Sequence, residues 1–425
     1  MKRLLTLVLV AASFLAITSC EDDPAIIATC SDGIQNGDET GIDCGGSSCQ
    51  PCSVDNLVVT GELTENTTWT SDNIYEMSGK VVVPAGITLT IEPGTIIKAR
   101  EGDGSLASAL VVAQGGKIMA EGTATSPIIF TSVLDNIEIG QTQGSNLDET
   151  QVGLWGGLLI LGSAPISADA ASVQIEGIPA DDTFGLYGGS NASDNSGVLK
   201  YISIRHGGAL IGEGNEINGL TLGGVGSGTT ISYIEVVANK DDGIECFGGT
   251  VNVSNILVWA QGDDAYDIDQ GYSGTIDNFV YIAGADSDHG LEIDGPEGSS
   301  EGRFTFTNGS LQGDAAEYAD FRDGAMGTFT NSYFFNFTTD ADLELDDDLT
   351  SSNYFSGKLV LTGLEFNSTN TIADIVADKA ENGDDAAFDT QMAADNSIVT
   401  APTVGADMTQ FDWTYANAKN ALANF

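Results

Sequence analysis

Gly228-Thr229-Thr230-Ile231-Ser232-Tyr233-Ile234-Glu235-Val236 and Gly249-Thr250-Val251-Asn252-Val253-Ser254-Asn255-Ile256-Leu257-Val258 are two of six segments that begin with glycine and run into two short strands. The others open at Gly274, Gly302, Gly327 and Gly357, so successive starts lie 21, 25, 28, 25 and 30 residues apart. A period in the twenties built from strand and turn marks a β-solenoid. A second series falls between the first: Ile244-Glu245-Cys246, Tyr266-Asp267-Ile268, Leu291-Glu292-Ile293, Ala319-Asp320-Phe321 and Leu343-Glu344-Leu345. Side chains alternate across a strand, so the outer two of each trio share one face and the middle acid takes the other. Leu220-Thr221-Leu222 fits the same register one rung earlier. Two interleaved series per period mean that each rung is a full coil. The chain therefore reads as all-β, a right-handed parallel β-helix with apolar pairs stacked inside, Cys246 among them as a small hydrophobe.

The outward positions form the expected site. They are Glu245 and Phe247, Asp267 and Asp269, Glu292 and Asp294, Asp320 and Arg322, and Glu344 and Asp346, with further acids in the preceding turns at Asp241-Asp242, Asp263-Asp264, Asp286 and Asp288. Rungs lie about 4.8 Å apart, where like charges repel by about 1 kcal/mol even in bulk water. Ca2+ between rungs would offset this, since hard cations take oxygen ligands. The metal candidates are Glu245, Asp267, Asp269, Glu292, Asp294, Asp320, Glu344 and Asp346. A merely solvated acidic face is the plainer alternative. A third reading makes Asp267, Asp269, Glu292 and Asp294 acid and base toward a polysaccharide, with Arg322 as the nearby cation. His206 and His289 read as surface or turn residues. Trp259 and Tyr272 read as edge packing, with sugar stacking as the alternative. The glycine-rich run 223–228 joins strand to strand with no helix behind it, which excludes a phosphate-cradling loop.

Composition sets the class. Of 425 residues 41% are hydrophobic, and 53 glycines against 9 prolines suit short strands joined by turns. With 14 Lys+Arg against 62 Asp+Glu the net charge is −48. Nucleic acid is excluded as a partner, because phosphate contacts need a basic surface. Lys2-Arg3 followed by the apolar run from Leu4 to Ile17 reads as a signal peptide over residues 1–19. Cys30, Cys44, Cys49 and Cys52 have the spacing of a small crosslinked module. In an oxidising compartment they form two disulfides, in any of three pairings, and a four-cysteine zinc site is the rival. The divisions expected are a tether over 20–29, the Cys-rich module over 30–52, the β-helix over 55–365 and a capping segment over 366–425.

Two resemblances extend this reading. Ile17-Thr18-Ser19-Cys20 resembles a bacterial lipobox, which implies acylation of Cys20 and a membrane anchor; Glu21-Asp22-Asp23 directly after it resembles the surface-export signal of Bacteroidota lipoproteins. Leu154-Trp155-Gly156-Gly157-Leu158, Gln174-Ile175-Glu176-Gly177, the run 215–226, Asp241-Asp242-Gly243-Ile244-Glu245 and the run 266–274 resemble right-handed β-helix lipoproteins of Bacteroidota over roughly residues 55–365. The resemblance implies fold and export route and carries no substrate. The functional expectation is a lipid-anchored outer-membrane protein facing outward, with an acidic, Ca2+-holding face for binding or adhesion to glycans or outer-membrane proteins. The alternatives are a lyase or glycoside hydrolase using the same acids and an accessory subunit of an outer-membrane complex.

Overall fold

The computed structural model describes residues 30, 36–37, 46–49 and 56–425, apart from 177, 180, 181 and 211–216. The expected signal peptide and tether, with Cys20, and also Cys44 and Cys52 lie outside the described residues. Residues 1–55 and 56–425 are separate compact units. In the first, Cys30 pairs with Cys49, a link found in one of the three pairings, and this removes Cys49 from the rival zinc set.

In the second, 26 strands form one continuous parallel sheet wound into coils. The Gly-led segments appear as the strands Thr230–Val237, Val253–Trp259, Thr275–Ile282 and Phe304–Gln312. Each is bent by one residue in the left-handed region: Tyr233 at φ 57°, Asn255 at 56°, Asn278 at 57° and Asn308 at 60°. Asn tolerates that region because its short amide bonds locally. Here the amides also tie the rungs together, since Asn278 Nδ2 donates to Asn255 Oδ1 at 2.7 Å. Glycine opens the segments because the coils approach closely. A Cβ on Gly302 would run into the backbone of Gly271 one rung below.

Inside, aromatic side chains stack from coil to coil; Phe279 and Phe306 meet at 5.2 Å between ring centroids and both are fully buried. Such pairs add about 0.5–1.5 kcal/mol beyond the area they bury. Cys246 is buried beside Ile244, as its register requires.

Parallel pairing does not stop at residue 365. Leu343 pairs with Val376 and Glu365 with Ser397. The stretch from Ile372 to Lys379, whose composition reads as helical, is helical only over Ile372–Ile375; Val376–Asp378 is a strand. The open ladder edge of the last rung outweighs helix propensity there, because unpaired strand edges demand partners. The helix Asp385–Asp395 then sets Phe388 and Met392 into the coil's end. From there the chain returns along the flank as a strap. Ala406 N donates to Ser310 Oγ at 2.9 Å, Asp407 N to Asn278 Oδ1 at 2.6 Å and Ala416 N to Glu235 Oε1 at 2.8 Å. Phe411, Tyr415 and Ala416 cover Val237, Leu257 and Val280, which point outward from the coil and would otherwise meet water.

Candidate metal centre and acid column

The trios are the inner strands Ile244–Phe247, Tyr266–Asp269, Leu291–Asp294, Ala319–Arg322 and Leu343–Leu345. Their outer members are at most 1% exposed, and the middle acids pair Glu245 to Asp267 to Glu292 to Asp320 to Glu344 in one ladder. The same column continues toward the N-terminus as Thr221, Leu159, Val111 and Val82. There it is apolar, and Ile175, Ile178 and Tyr187 of an inserted segment pack in one cluster with Val82, Val111 and Leu159.

The acids point away from the core, as alternation demands, yet they do not stand in open water. Glu245 is 7% exposed and Asp320 6%. Acids from neighbouring rungs and from the preceding turns crowd over them, so the column is recessed rather than displayed. Two solutions to the resulting repulsion appear along it.

Toward the C-terminus the offset is internal. Arg322 Nε donates to Asp294 Oδ1 at 2.6 Å, its guanidinium also pairs with Glu292, and Asp320 lies 3.8 Å away. Lys379, from beyond the repeats, pairs with Glu344 and lies 3.0 Å from Asp342. His289 Nδ1 lies 2.8 Å from Asp264 Oδ1. Burial opposes a charge on His289, but Asp264, Asp288 and Asp320 outweigh it and lift its pKa to about 9. It is thus a cation at neutral pH. Burial, with Asp264 beside it and Arg322 opposing, raises Glu292 to about 8. Burial raises Asp269 and Asp320 to about 6 each.

Toward the N-terminus the acids themselves converge. Asp242, Glu245 and Asp267 offer carboxylate oxygens within 4.8 Å of one another. Burial pushes all three pKa values well up, and Asp242, Glu245, Asp264 and Glu292 add negative field. Asn218, only 6% exposed, donates from Nδ2 to Glu245, while its Oδ1 has no partner. Asp267 Oδ1 is likewise buried and unpartnered. Buried polar atoms are rarely left so. The donor set is all oxygen, which suits Ca2+ and not a thiolate- or imidazole-seeking metal.

Of the eight metal candidates, Glu245 and Asp267 fall in this group, and Glu292 falls in a second with Asp264 and His289. Among the described residues, Asp269, Asp294, Asp320, Glu344 and Asp346 join no three-ligand group; Asp346 is exposed beyond its strand's end. Sequence reasoning placed Asp242 and Asp264 only as turn acids and missed Asn218, His289 and Lys379 as participants. Their turns differ in length, so no fixed spacing marks them.

Other expectations change with the fold. His206 is no surface residue: it is 1% exposed, with Nδ1 2.8 Å from Gln151 O, and burial lowers its pKa. Tyr272 is core, its hydroxyl donating to Val251 O at 2.7 Å. Trp259 is 7% exposed and packs against Tyr415 at 6.1 Å.

A winding parallel sheet with these ladders defines a parallel β-helix protein. The chain belongs to the family of the pectate-lyase-like β-helix domain, whose profile matches residues 61–416. Among solved structures it is similar to a pectin methylesterase from Aspergillus niger, at 10% identity over 84% of this chain and 99% of that one, with a TM-score of 0.27. It is also similar to the catalytic unit of a thermostable GH87 α-1,3-glucanase from Streptomyces thermodiastaticus, at 12% identity, covering 82% of this chain and 64% of that one, TM-score 0.27. Neither likeness bears on the site at these values. No curated protein matches the chain.

Proposed function

We propose that the protein is a lipid-anchored outer-membrane protein facing outward, whose β-helix holds Ca2+ at Asp242, Glu245 and Asp267 and serves binding or adhesion rather than catalysis. The anchor rests on Cys20 and its flanks. Among the described residues no helix is long and apolar enough to cross a membrane. The observation that carries the Ca2+ reading is the buried triad with its orphaned Asn218 and Asp267 oxygens. Bound there, Ca2+ would supply the positive charge that Arg322 and Lys379 supply further along.

The enzyme reading retains one specific support besides the family. Glu292, raised to about 8, is a carboxylic acid at neutral pH beside Asp294 and could donate a proton. Arg322 argues against a lyase, however. Burial lowers its pKa but Asp294, Glu292 and Asp320 raise it further, so it is a fixed cation and no base. Turnover on a panel of neutral and acidic glycans, lost in Glu292→Gln with an unchanged melt, would establish the enzyme instead. The Ca2+ reading is tested by Asp267→Asn. Removing one of three crowded, buried carboxyls should stabilise the protein in EDTA yet abolish its thermal response to Ca2+. A variant that still responds like the parent overturns the site.

A further inference from the structure

The segment inserted between the strands Leu158–Leu161 and Gly197–Arg205 lies against the two strands that carry Glu245 and Asp267. Gly249 N donates to Pro165 O and Ser167 N to Gln270 O, both at 2.9 Å. At the far end Tyr187 meets Phe247 at 5.9 Å between ring centroids, and its hydroxyl donates to Gln270 Oε1 at 2.8 Å. Phe247 lies two residues beyond Glu245, and Gln270 three beyond Asp267. Ile175 is buried in the same apolar cluster as Phe247 and as Ile217, the neighbour of Asn218. Next to Ile175 stands Glu176, exposed, yet close enough to add to the negative field on Glu245. The segment's own structure is slight: Val173 pairs with Tyr187 and Gln174 with Leu186. A lone two-stranded hairpin is marginal in water.

The triad and the unpartnered Asn218 Oδ1 bring four side chains to a cation, whereas Ca2+ takes roughly 6–8 oxygens. Of the other acids whose field reaches Asp267, Asp264 is held by His289 and Asp294 by Arg322. Glu176 belongs to no rung, and its neighbour Ile175 already sits on the ladder's apolar end. We propose that Ca2+ at the triad draws in Glu176 as a further ligand and so clamps the segment from Pro165 to Tyr187 over the column. The inference rests on the Ca2+ reading and gives that site a consequence. Without the ion, Glu176 and Glu245 repel and the hairpin loosens; with it, the same carboxylate becomes a strut. Filling the site then alters the outer surface, since Leu186 of the hairpin is 42% exposed.

The test is hydrogen–deuterium exchange of the full protein in EDTA and in Ca2+, run beside calorimetric titration of the ion. In the parent, peptides covering residues 165–187 should exchange roughly tenfold more slowly with the ion bound, as a locally unstable element does when it is tied down. Glu176→Gln should weaken Ca2+ binding by roughly tenfold, because affinity follows the count of charged ligands. It should also remove the segment's protection even at saturating Ca2+. Glu121→Gln, exposed and outside the segment, should change neither reading. If Glu176→Gln binds Ca2+ like the parent, or if bound Ca2+ leaves the segment's exchange unchanged, the clamp is overturned and the Ca2+ site stands. An equal loss of affinity in the control variant also overturns it, since only bulk charge was then being read. If the parent itself gives no heat with Ca2+, the site fails and the clamp fails with it.

Discussion

Replacing Arg322 by Gln removes a cation that faces three carboxylates, Glu292, Asp294 and Asp320. Asp294 lies at 2.6 Å and Asp320 at 3.8 Å, with Glu292 paired beside them. A unit pair near 4 Å is worth at most about 4 kcal/mol at an effective dielectric of 20. The Arg322 side chain is 36% exposed, so solvent screening brings each contact down toward about 1 kcal/mol. Against that, Asp294 and Asp320 are left without a counter-charge, which adds to the loss, whereas Glu292, at about 8, is already mostly neutral at pH 7.5. The expected destabilisation is about 3 kcal/mol at pH 7.5. At about 2–4 °C per kcal/mol for a large domain this lowers the melting temperature by roughly 6–12 °C. Guanidinium chloride would screen the very charges in question, so urea melts in EDTA are the appropriate assay. The loss should shrink at pH 5, where Glu292 at about 8 and Asp320 at about 6 are protonated in the parent too. A variant within about 0.5 kcal/mol of the parent at pH 7.5, or one equally destabilised at both pH values, would refute the claim that Arg322 offsets the column.

Further outcomes follow from the same chemistry. Asp269, Glu292, Asp320 and His289 all have folded-state pKa values above their ordinary ones. The folded form therefore binds more protons, and stability in EDTA should fall as pH rises from about 4 to about 9; a urea midpoint that climbs with pH contradicts this. Saturating Ca2+ should flatten that dependence at its alkaline end, read from the same melts. Peptide mapping of unreduced protein should recover Cys30 linked to Cys49, with Cys44 linked to Cys52 as the remaining pair; a Cys49–Cys52 link would reverse the pairing. Gly302→Ala should destabilise by more than the roughly 1 kcal/mol of an ordinary point mutation, because its methyl meets the Gly271 backbone. An unchanged melt would show that the rungs can part there.

The coil was legible because its two series obey strict rules. Period-two alternation put Ile244 and Cys246 inside and Glu245 outside, and the spacing of Gly-led segments set the rung length. The strap was not legible. Phe411 and Tyr415 meet Val237 and Leu257 across a long stretch of chain, and nothing local to the C-terminus carries that contact. The depth of the acid column was hidden for a similar reason. Alternation tells which face a side chain takes, not what lies over that face, and the turns bearing Asp242 and Asp264 vary in length from rung to rung. Lys379 escaped notice because it sits beyond the last Gly-led segment, on a rung that helix-like composition disguises.

Calcium analysis of the purified protein, with anomalous scattering from its crystals, tests the central claim most directly. The account predicts a bound ion among Asp242, Glu245 and Asp267 with Asn218 beside it, removable by chelation and lost in Asp267→Asn. Protein that carries no calcium, gives no heat on titration and melts at the same temperature with and without the ion would contradict it.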